Sequence, residues 1–217
     1  MARHTAAGAA PFVPANATLP VLAVAAQKCQ GCDLYKHATQ AVLGEGPSTA
    51  RVVMVGEQPG DREDLAGKPF VGPAGMLLDR ALEDAGIVRS DVYVTNAVKH
   101  FKFEERGKRR IHKKPSTTEI VACHPWLDAE LAVIRPELIV CLGATAAAAV
   151  IGKSHRLLAE RGKFFDYSAG VTVTATVHPS AILRSTDAES RRENYEAFVA
   201  DLKLVRKKLG KPRASAG

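Results

Sequence analysis

The sequence has no apolar run that approaches the roughly 20 residues of a membrane-spanning helix. The apolar stretch at residues 19–26 (LPVLAVAA) is short and lacks the basic start and the cleavage site of a signal peptide, so we interpret it as an early helix. Internal repeats and a break between two domains are also absent. These absences exclude a membrane span and a repeat array, and they favour a single cytoplasmic domain.

The remaining composition is that of an ordinary globular chain. Its 217 residues, 46% of them hydrophobic and 24% charged, are enough to bury the core of one α/β domain. The first 18 residues are rich in alanine and proline, and we expect them to be disordered. Residues 19–209 should form the domain and residues 210–217 a flexible basic tail. We expect the chain to act as a monomer.

Positive charge is unevenly distributed along the chain. The formal net charge is +7 and the isoelectric point about 9.3, which suggests a polyanionic partner. Between residues 99 and 114 the only acidic side chains are Glu104 and Glu105. The basic side chains of that segment are Lys99, Lys102, Arg106, Lys108, Arg109, Arg110, Lys113 and Lys114.

Strand-like and helix-like segments alternate after residue 50. Buried strands are predicted at residues 51–55, 92–95, 138–142 and 171–177. Helices are predicted at residues 74–85, 116–134, 143–151 and 189–208, the second of them beginning with a capping box formed by Ser116 and Glu119. This alternation predicts an α/β fold with a parallel sheet that helices cover on both faces.

Polar segments follow three of the four predicted strands. Residues 56–60 (GEQPG) follow the first strand, Asn96 follows the second and leads into the basic segment, and residues 178–180 (HPS) follow the fourth. In parallel sheets ligands bind beyond the carboxyl ends of the strands. The sequence therefore predicts that these segments converge on one site.

Cysteines are few, and two of them form a Cys29-x-x-Cys32 pair. Such a pair is compatible with zinc, with redox chemistry or with an iron–sulfur cluster. Cys141 lies in a hydrophobic predicted strand, where we expect a buried core thiol.

Four motifs in order resemble the uracil-DNA glycosylase superfamily. They are GEQPG (56–60), GKPFVGPAG (67–75), YVTNAVKH (93–100) and HPSAILR (178–184), and the resemblance covers about residues 29–184. It is closest to the iron–sulfur family 4 enzymes and their UdgX offshoot. The family fold is a three-layer α/β/α sandwich around a four-stranded parallel sheet, which agrees with the alternation of segments.

Residues 107–112 (GKRRIH) distinguish the two groups. Ordinary family 4 enzymes lack this segment, which resembles the insertion of UdgX proteins, whose histidine bonds covalently to the DNA sugar. The GEQPG motif also fits UdgX better than the GEGPG that is usual in family 4. The resemblance thus implies that His112 captures the sugar. The alternative is that His112 only contacts phosphate.

The resemblance also implies a [4Fe–4S] cluster with a structural role. Its ligands would be Cys29, Cys32, His100 and Cys123, where His100 replaces the third cysteine of the family 4 pattern. An imidazole can ligate cluster iron, as it does in Rieske centres. A tetrahedral zinc held by the same four side chains remains the alternative.

Chemistry on a base requires that the base leave the stack and enter a pocket. By resemblance, Phe70 would stack on uracil, and Asn96 would read its edge, because an amide can both donate to a carbonyl and accept from N3–H. Gln58 and the backbone of residues 57–61 would line the rest of the pocket, and Gly56 and Gly60 are also expected to bind the substrate. The structural alternatives are a core role for Phe70 and a turn role for Asn96.

Breaking the glycosidic bond builds negative charge on uracil and positive charge on the sugar. The resemblance implies that His178 stabilises the uracil anion, and that Glu57 stabilises the sugar cation or orients the nucleophile. Asp61 would assist, unless it simply pairs with a nearby basic side chain. We expect basic neighbours to disfavour the protonated form of His112, which would leave a neutral imidazole as the nucleophile.

The remaining contacts would be made with the DNA backbone and grooves. We expect Lys108, Arg109 and Arg110 to contact phosphates, with Arg110 also positioning its loop. Ser180, Arg184 and the residues between them resemble the segment that wedges into the minor groove. Three hypotheses follow: a glycosylase that crosslinks itself to uracil-containing DNA, a conventional turnover glycosylase, and a non-enzymatic iron–sulfur DNA-binding protein.

Overall fold

The computed structural model describes residues 8–210. Its strands are β1 (Val52–Gly56), β2 (Val92–Asn96), β3 (Phe103–Arg106), β4 (Arg109–His112), β5 (Leu138–Leu142), β6 (Phe164–Ser168) and β7 (Val171–Thr176). Its α-helices are α1 (Leu19–Ala26), α2 (Asp61–Ala66), α3 (Pro73–Asp84), α4 (Thr117–Ile134), α5 (Ala144–Val150), α6 (Leu157–Glu160), α7 (Pro179–Leu183) and α8 (Ala188–Leu209). Within this part of the chain, no helix combines the length and the apolar character that a membrane span requires.

The central sheet has five strands in the order β2-β1-β5-β7-β6. The first four are parallel, and β6 pairs antiparallel with β7. The predicted α/β class is therefore confirmed, whereas the expected strand count of four is corrected to five. Strands β1, β2 and β5 are buried at every position, because helices cover both faces of the sheet.

Side chains alternate between two cores on the two faces of the sheet. Val52 and Met54 of β1 pack with residues of α3 and α8, whereas Val53 and Val55 pack with residues of α4 and α5. This arrangement gives the three expected layers. Cys141 of β5 is fully buried, as predicted.

The predicted helices are all present, with their ends within one or two residues of the expected positions. The α4 capping box is formed: Ser116 Oγ accepts from the Glu119 N–H (3.3 Å), and a Glu119 carboxylate oxygen accepts from the Ser116 N–H (2.6 Å). The early helix at residues 19–26 is confirmed as α1.

The expectation of disorder before residue 19 is wrong for residues 8–18. Ala9 is 1% exposed, and its N–H donates to the carbonyl of Ala122 in α4 (2.7 Å). A side chain at Gly31 would begin only 2.7 Å from the Ala9 nitrogen, so this glycine permits the close approach. Composition alone does not reveal such packing. The rest of the predicted disordered segment, residues 1–7, and residues 211–217 of the predicted tail lie outside the described residues.

Candidate active site

A cavity of about 950 Å³ opens at the carboxyl ends of the parallel strands. It is lined by Glu57 after β1, Asn96 at the end of β2, Thr145 after β5 and His178 after β7. His112 at the end of β4 also lines it. The polar segments that the sequence predicted to converge are therefore found together.

Gly56 allows an aromatic ring and an amide to lie side by side at the floor of this cavity. A Cβ at Gly56 would lie 2.3 Å from Asn96 Oδ1 and 2.8 Å from Phe70 Cζ, so any side chain would displace them. Asn96 is only 3% exposed, and the Phe70 ring lies 6.2 Å from the His178 ring in a stacked orientation. Gly56 itself is not among the lining residues; it makes room for those that are.

Phe70 has a left-handed backbone with φ of 56°, which is unfavourable for a side chain of this size. Its carbonyl lies against Gly75 of α3, where a Cβ would come within 1.6 Å of the Phe70 oxygen. The glycine thus permits the tight turn that directs the ring towards the cavity. Such local strain is typical of positions that a ligand uses.

The tautomer and charge of His178 follow from its neighbours. Its Nδ1 accepts from the Ser180 N–H (3.2 Å) and lies 2.8 Å from Ser180 Oγ, which in turn accepts from Arg184 (3.1 Å). Burial, together with the charges of Arg184 and His112, lowers the pKa of His178 to about 4. At neutral pH the ring is therefore uncharged and carries its proton on Nε2, as a hydrogen-bond donor.

Glu57 connects the nucleophile candidate to the body of the protein. His112 Nε2 lies 3.4 Å from Glu57 Oε1, and the other carboxylate oxygen accepts a short hydrogen bond from the Thr145 hydroxyl. The sequence analysis missed Thr145. The signal was present, because Gly143-Ala144-Thr145 follows the third predicted strand at the same edge of the sheet.

The basic segment is a hairpin, and Gln58 holds both of its ends. The amide of Gln58 donates to the carbonyls of Lys102 (3.1 Å) and Lys113 (3.0 Å), and its oxygen accepts from the Lys102 N–H (3.1 Å). Within residues 8–210, strands β3 and β4 between these ends pair with each other and with no other strand, and Phe103 lies opposite His112. Gln58 lines the cavity, but its amide forms hydrogen bonds to the hairpin that carries His112.

Arg110 also fixes this hairpin to the rest of the protein. Its guanidinium donates to Asp61 Oδ1 and Asp64 Oδ2, both at 2.6 Å, and lies over the rings of Phe101 and Phe103. The Asp61 carboxylate is thus engaged in the structural pairing that the sequence analysis gave as its alternative role. We assign Arg110 to holding the hairpin, because two carboxylates already balance its charge.

Glu63 joins two of the sequence motifs, although sequence reasoning did not find it. Its carboxylate accepts from the Gly60 N–H (3.1 Å) and from the Gly72 N–H (2.7 Å). We call this pair of hydrogen bonds the Glu63 clamp. A Cβ at Gly60 would lie 2.6 Å from the carboxylate, so the absence of a side chain at Gly60 permits the clamp, and Gly60 also lines the cavity. The clamp fixes GEQPG against the segment that carries Phe70.

A buried ion pair lies beneath the end of β2. Lys99 Nζ donates to Glu130 Oε2 (2.6 Å), to the Thr95 hydroxyl (2.7 Å) and to the carbonyl of Asn96 (2.7 Å). Glu130 also accepts from the hydroxyls of Tyr93 (2.8 Å) and Thr95. All three protons of the Lys99 ammonium group have acceptors. The hydrogen bond to the Asn96 carbonyl fixes the backbone of Asn96, whose side-chain amide borders the cavity.

Similarity to known proteins agrees with this geometry. Residues 43–203 match the sequence profile of the Uracil DNA glycosylase superfamily. The chain belongs to the uracil-DNA glycosylase superfamily. Type-4 uracil-DNA glycosylase of Thermotoga maritima is 41% identical over 167 residues, which cover 76% of this chain and 83% of that protein. The type-4 enzyme of Saccharolobus solfataricus is 38% identical, over a match that covers 76% of this chain and 77% of that protein. The type-4 enzyme of Archaeoglobus fulgidus is 36% identical, over a match that covers 84% of this chain and 89% of that protein.

In this superfamily member, the three cysteines of the proposed ligand set lie near one another, and His100 is buried as well. Cys29, Cys123 and His100 are buried, and the three thiols of Cys29, Cys32 and Cys123 are close enough to influence one another electrostatically. Cys29 accepts a hydrogen bond from the indole N–H of Trp126 (3.2 Å), and Cys123 accepts one from the Lys99 N–H (3.2 Å).

These side chains suit an iron–sulfur cluster in their chemistry. Thiolates are its usual ligands, and N–H donors to sulfur tune its potential. Within residues 8–210, no three His, Cys, Asp or Glu side chains are gathered closely enough to hold a single metal ion.

The candidate DNA-contact residues lie in two places. Lys108 and Arg109 are exposed at the hairpin turn, whereas Ser180 and Arg184 line the cavity together with Leu183 of α7. The structure therefore brings Ser180, Leu183 and Arg184 to the cavity and leaves Lys108 and Arg109 facing solvent. Ile182, which lies within the segment expected to wedge into the minor groove, is instead buried in the core at 1% exposure.

Proposed function

We propose that this protein excises uracil from DNA and then captures the resulting sugar covalently on His112. The observation that carries the proposal is the 3.4 Å approach of His112 Nε2 to the Glu57 carboxylate, inside the cavity that Phe70, Asn96 and His178 border. Three relatives named type-4 uracil-DNA glycosylase support the excision step.

Base recognition requires that uracil be flipped out of the strand. The flipped base would stack on Phe70, and the amide of Asn96 would donate to a uracil carbonyl and accept from N3–H. The segment between Gln58 and Phe70 would close around C5, where thymine carries a methyl group. We therefore expect uracil to react and thymine not to react.

In the departure step the C1′–N1 bond breaks and its electron pair leaves with uracil. The developing anion would accept a hydrogen bond from Nε2–H of His178, which is neutral and already held by Ser180. The Glu57 carboxylate would stabilise the positive charge that develops on the sugar. Neither group has to change its protonation state for the base to leave.

In the capture step a lone pair of the His112 imidazole forms a bond to C1′. The proton on the other ring nitrogen then goes to water, which leaves a neutral N-linked imidazole. Such a group leaves poorly, so the adduct persists. Because the ring is held at the cavity by the hairpin, its effective concentration exceeds that of water.

Contacts beyond the base would position the strand. The cations Lys108 and Arg109 would lie near phosphates and make binding sensitive to salt. Ser180 and Arg184, with Leu183 of α7, would occupy the space that the flipped base leaves.

Cys29, Cys32, His100 and Cys123 would hold a [4Fe–4S] cluster that ties the N-terminal segment to β2 and α4. When bound, the cluster supplies structural cross-linking. We predict that anaerobically purified protein is brown and contains about four iron atoms per chain. His100→Cys should retain the iron, because it restores a four-cysteine set. Zinc without iron would contradict the cluster, and loss of iron with a changed fold in His100→Cys would contradict His100 as a ligand.

His112→Ser separates the crosslinking hypothesis from conventional turnover. Wild-type protein mixed with a uracil-containing oligonucleotide should react once per protein molecule and give a protein–DNA band that survives denaturant. His112→Ser should give no such band, but should release uracil repeatedly, because water can enter and react at C1′. The matched control is His124→Ser, a partly exposed histidine on α4 that pairs with Asp128 and does not line the cavity; it should crosslink as wild type does.

The outcomes discriminate among the three hypotheses. If wild-type protein releases uracil with turnover and forms no stable band, the conventional glycosylase is correct. If His112→Ser still forms the band, the nucleophile is another residue. Binding without any release or crosslink would favour the non-enzymatic DNA-binding protein.

A further inference from the structure

Leu158 of α6 is the most exposed large hydrophobic side chain within residues 8–210, at 81%. Single exposed leucines are common on protein surfaces and need no explanation by themselves. This one, however, lines the cavity at the carboxyl edge of the sheet, as does its neighbour Leu157. An apolar side chain at the rim of a binding cavity is placed to contact what the cavity binds.

The segment that carries Leu158 is fixed to the body of the protein. A carboxylate oxygen of Glu160 accepts from the Arg156 N–H (2.7 Å) and lies 3.2 Å from His155 Nδ1. The His155 side chain is buried and meets the Phe165 ring of β6 edge-on, with ring centroids 5.6 Å apart. Leu158 is therefore held in place, so a ligand would not have to order this segment on binding.

The charges around Leu158 suit a polyanion. Lys153 and Arg156 of the same segment are exposed, and the carboxylate of Glu160 is occupied by the contacts just described. Lys114 also lines the cavity. An apolar side chain flanked by cations matches a nucleic-acid strand, which presents apolar base faces between phosphates.

We propose that residues 153–158 form a second DNA-contacting segment, in which Leu158 packs on a base next to the flipped uracil and Lys153 and Arg156 contact phosphates. This proposal rests on the proposed function. It adds to α7, whose Leu183 borders the same cavity, a second apolar contact from a different part of the chain. Two such contacts would hold the strand on either side of the extruded nucleotide.

The test measures binding without reaction. The probe is a fluorescent single-stranded oligonucleotide with one 2′-fluoro-2′-deoxyuridine, whose fluorine opposes positive charge on the sugar and so blocks cleavage. Leu158→Ala should bind it roughly tenfold more weakly than wild type, because the base loses an apolar contact. Val24→Ala, an exposed apolar position (68%) on α1 that does not line the cavity, should bind as wild type does.

Salt dependence distinguishes the apolar contact from the ionic ones. Lys153→Ala and Arg156→Ala should each lower the slope of log affinity against log salt by about 0.7, the value for one phosphate contact on a single strand. Leu158→Ala should weaken binding at every salt concentration and leave the slope unchanged. Wild-type affinity in Leu158→Ala, or an unchanged slope in both cation variants, would overturn the proposal.

A parallel reaction on ordinary uracil-containing DNA keeps the two hypotheses separate. If the wild type binds the fluorinated probe but never releases uracil, the proposed function fails while the Leu158 contact is still measured. If the wild type releases uracil and Leu158→Ala binds as tightly as Val24→Ala, only the second contact is wrong. The exposure of Leu158 means that its truncation should leave the unfolding midpoint unchanged, which circular dichroism checks.

Discussion

Replacing Lys99 with Met should destabilise the protein more than any exposed substitution. Lys99 and Glu130 are 1% and 0% exposed, and Met fills similar space without the ammonium group. Glu130 would keep its hydroxyl donors but lose its counter-charge, and a buried charge without its partner costs about 3–5 kcal/mol. With a urea dependence of about 2 kcal/mol per molar, the unfolding midpoint should fall by about 2 M.

The matched control is Lys102→Met on the same segment. Lys102 pairs with Glu119 at 2.8 Å, close to the 2.6 Å of the buried pair, but its side chain is 29% exposed. Water therefore screens the lost interaction, and the expected loss is at most about 1 kcal/mol. Chemical denaturation followed by Trp126 fluorescence measures both variants, at equal iron content.

The double variant Lys99→Met/Glu130→Gln tests the reasoning directly. With both charges removed, most of the lost stability should return, because no buried charge is left uncompensated. If Lys99→Met costs no more than Lys102→Met, or if the double variant is as unstable as the sum of its single changes, the ion pair does not stabilise this region as argued. Uracil release should also slow in Lys99→Met, because the Asn96 carbonyl loses its donor.

Two further predictions follow from the cavity. Gly56→Ala should reduce single-turnover uracil release roughly 100-fold, because its Cβ would displace the Asn96 amide and the Phe70 ring. Gly86→Ala meets no neighbouring atom but strains a left-handed backbone (φ 69°), so it should lower stability and leave the rate of uracil release unchanged; equal rates in the two variants would show that the packing around Gly56 is unimportant. His178 has a folded pKa of about 4, below its unfolded value near 6.5, so the unfolded chain binds its proton more tightly. The melting temperature should therefore fall as the pH drops from about 6.5 to 4, and less steeply in His178→Asn; identical pH profiles would contradict the shift.

The parts of the fold that sequence predicted are those with a strong local signal. The four parallel strands are nearly continuous apolar runs, and the helices between them carry a capping box or a terminating glycine. Strand β6 was missed because its sequence, FFDYS, is short and mixed, and because it pairs with β7 through a tight turn at Gly170 instead of a helical crossover. The alternation rule that predicted the other strands does not anticipate this hairpin.

In the candidate site, too, some residues could be predicted from local sequence and others could not. Strand-end residues such as Asn96 and His178 could be predicted, because topology brings the ends of parallel strands together. The β3–β4 hairpin could not, since its strands are highly charged and are held by Gln58 and Arg110 through contacts distant in sequence. The roles of Gln58, Glu63 and Glu130 become visible only when those distant partners are known.

The closed base of the β3–β4 hairpin has an evolutionary consequence. The Lys113 N–H donates to the Lys102 carbonyl (2.9 Å), so the chain leaves the hairpin where it entered it. Residues 103–112 pair with no strand of the central sheet. An ancestral chain could therefore have gained or lost this piece without shifting the register of any other strand. The same property makes the hairpin, together with its Gln58 tether, a transplantable unit for grafting onto a related enzyme.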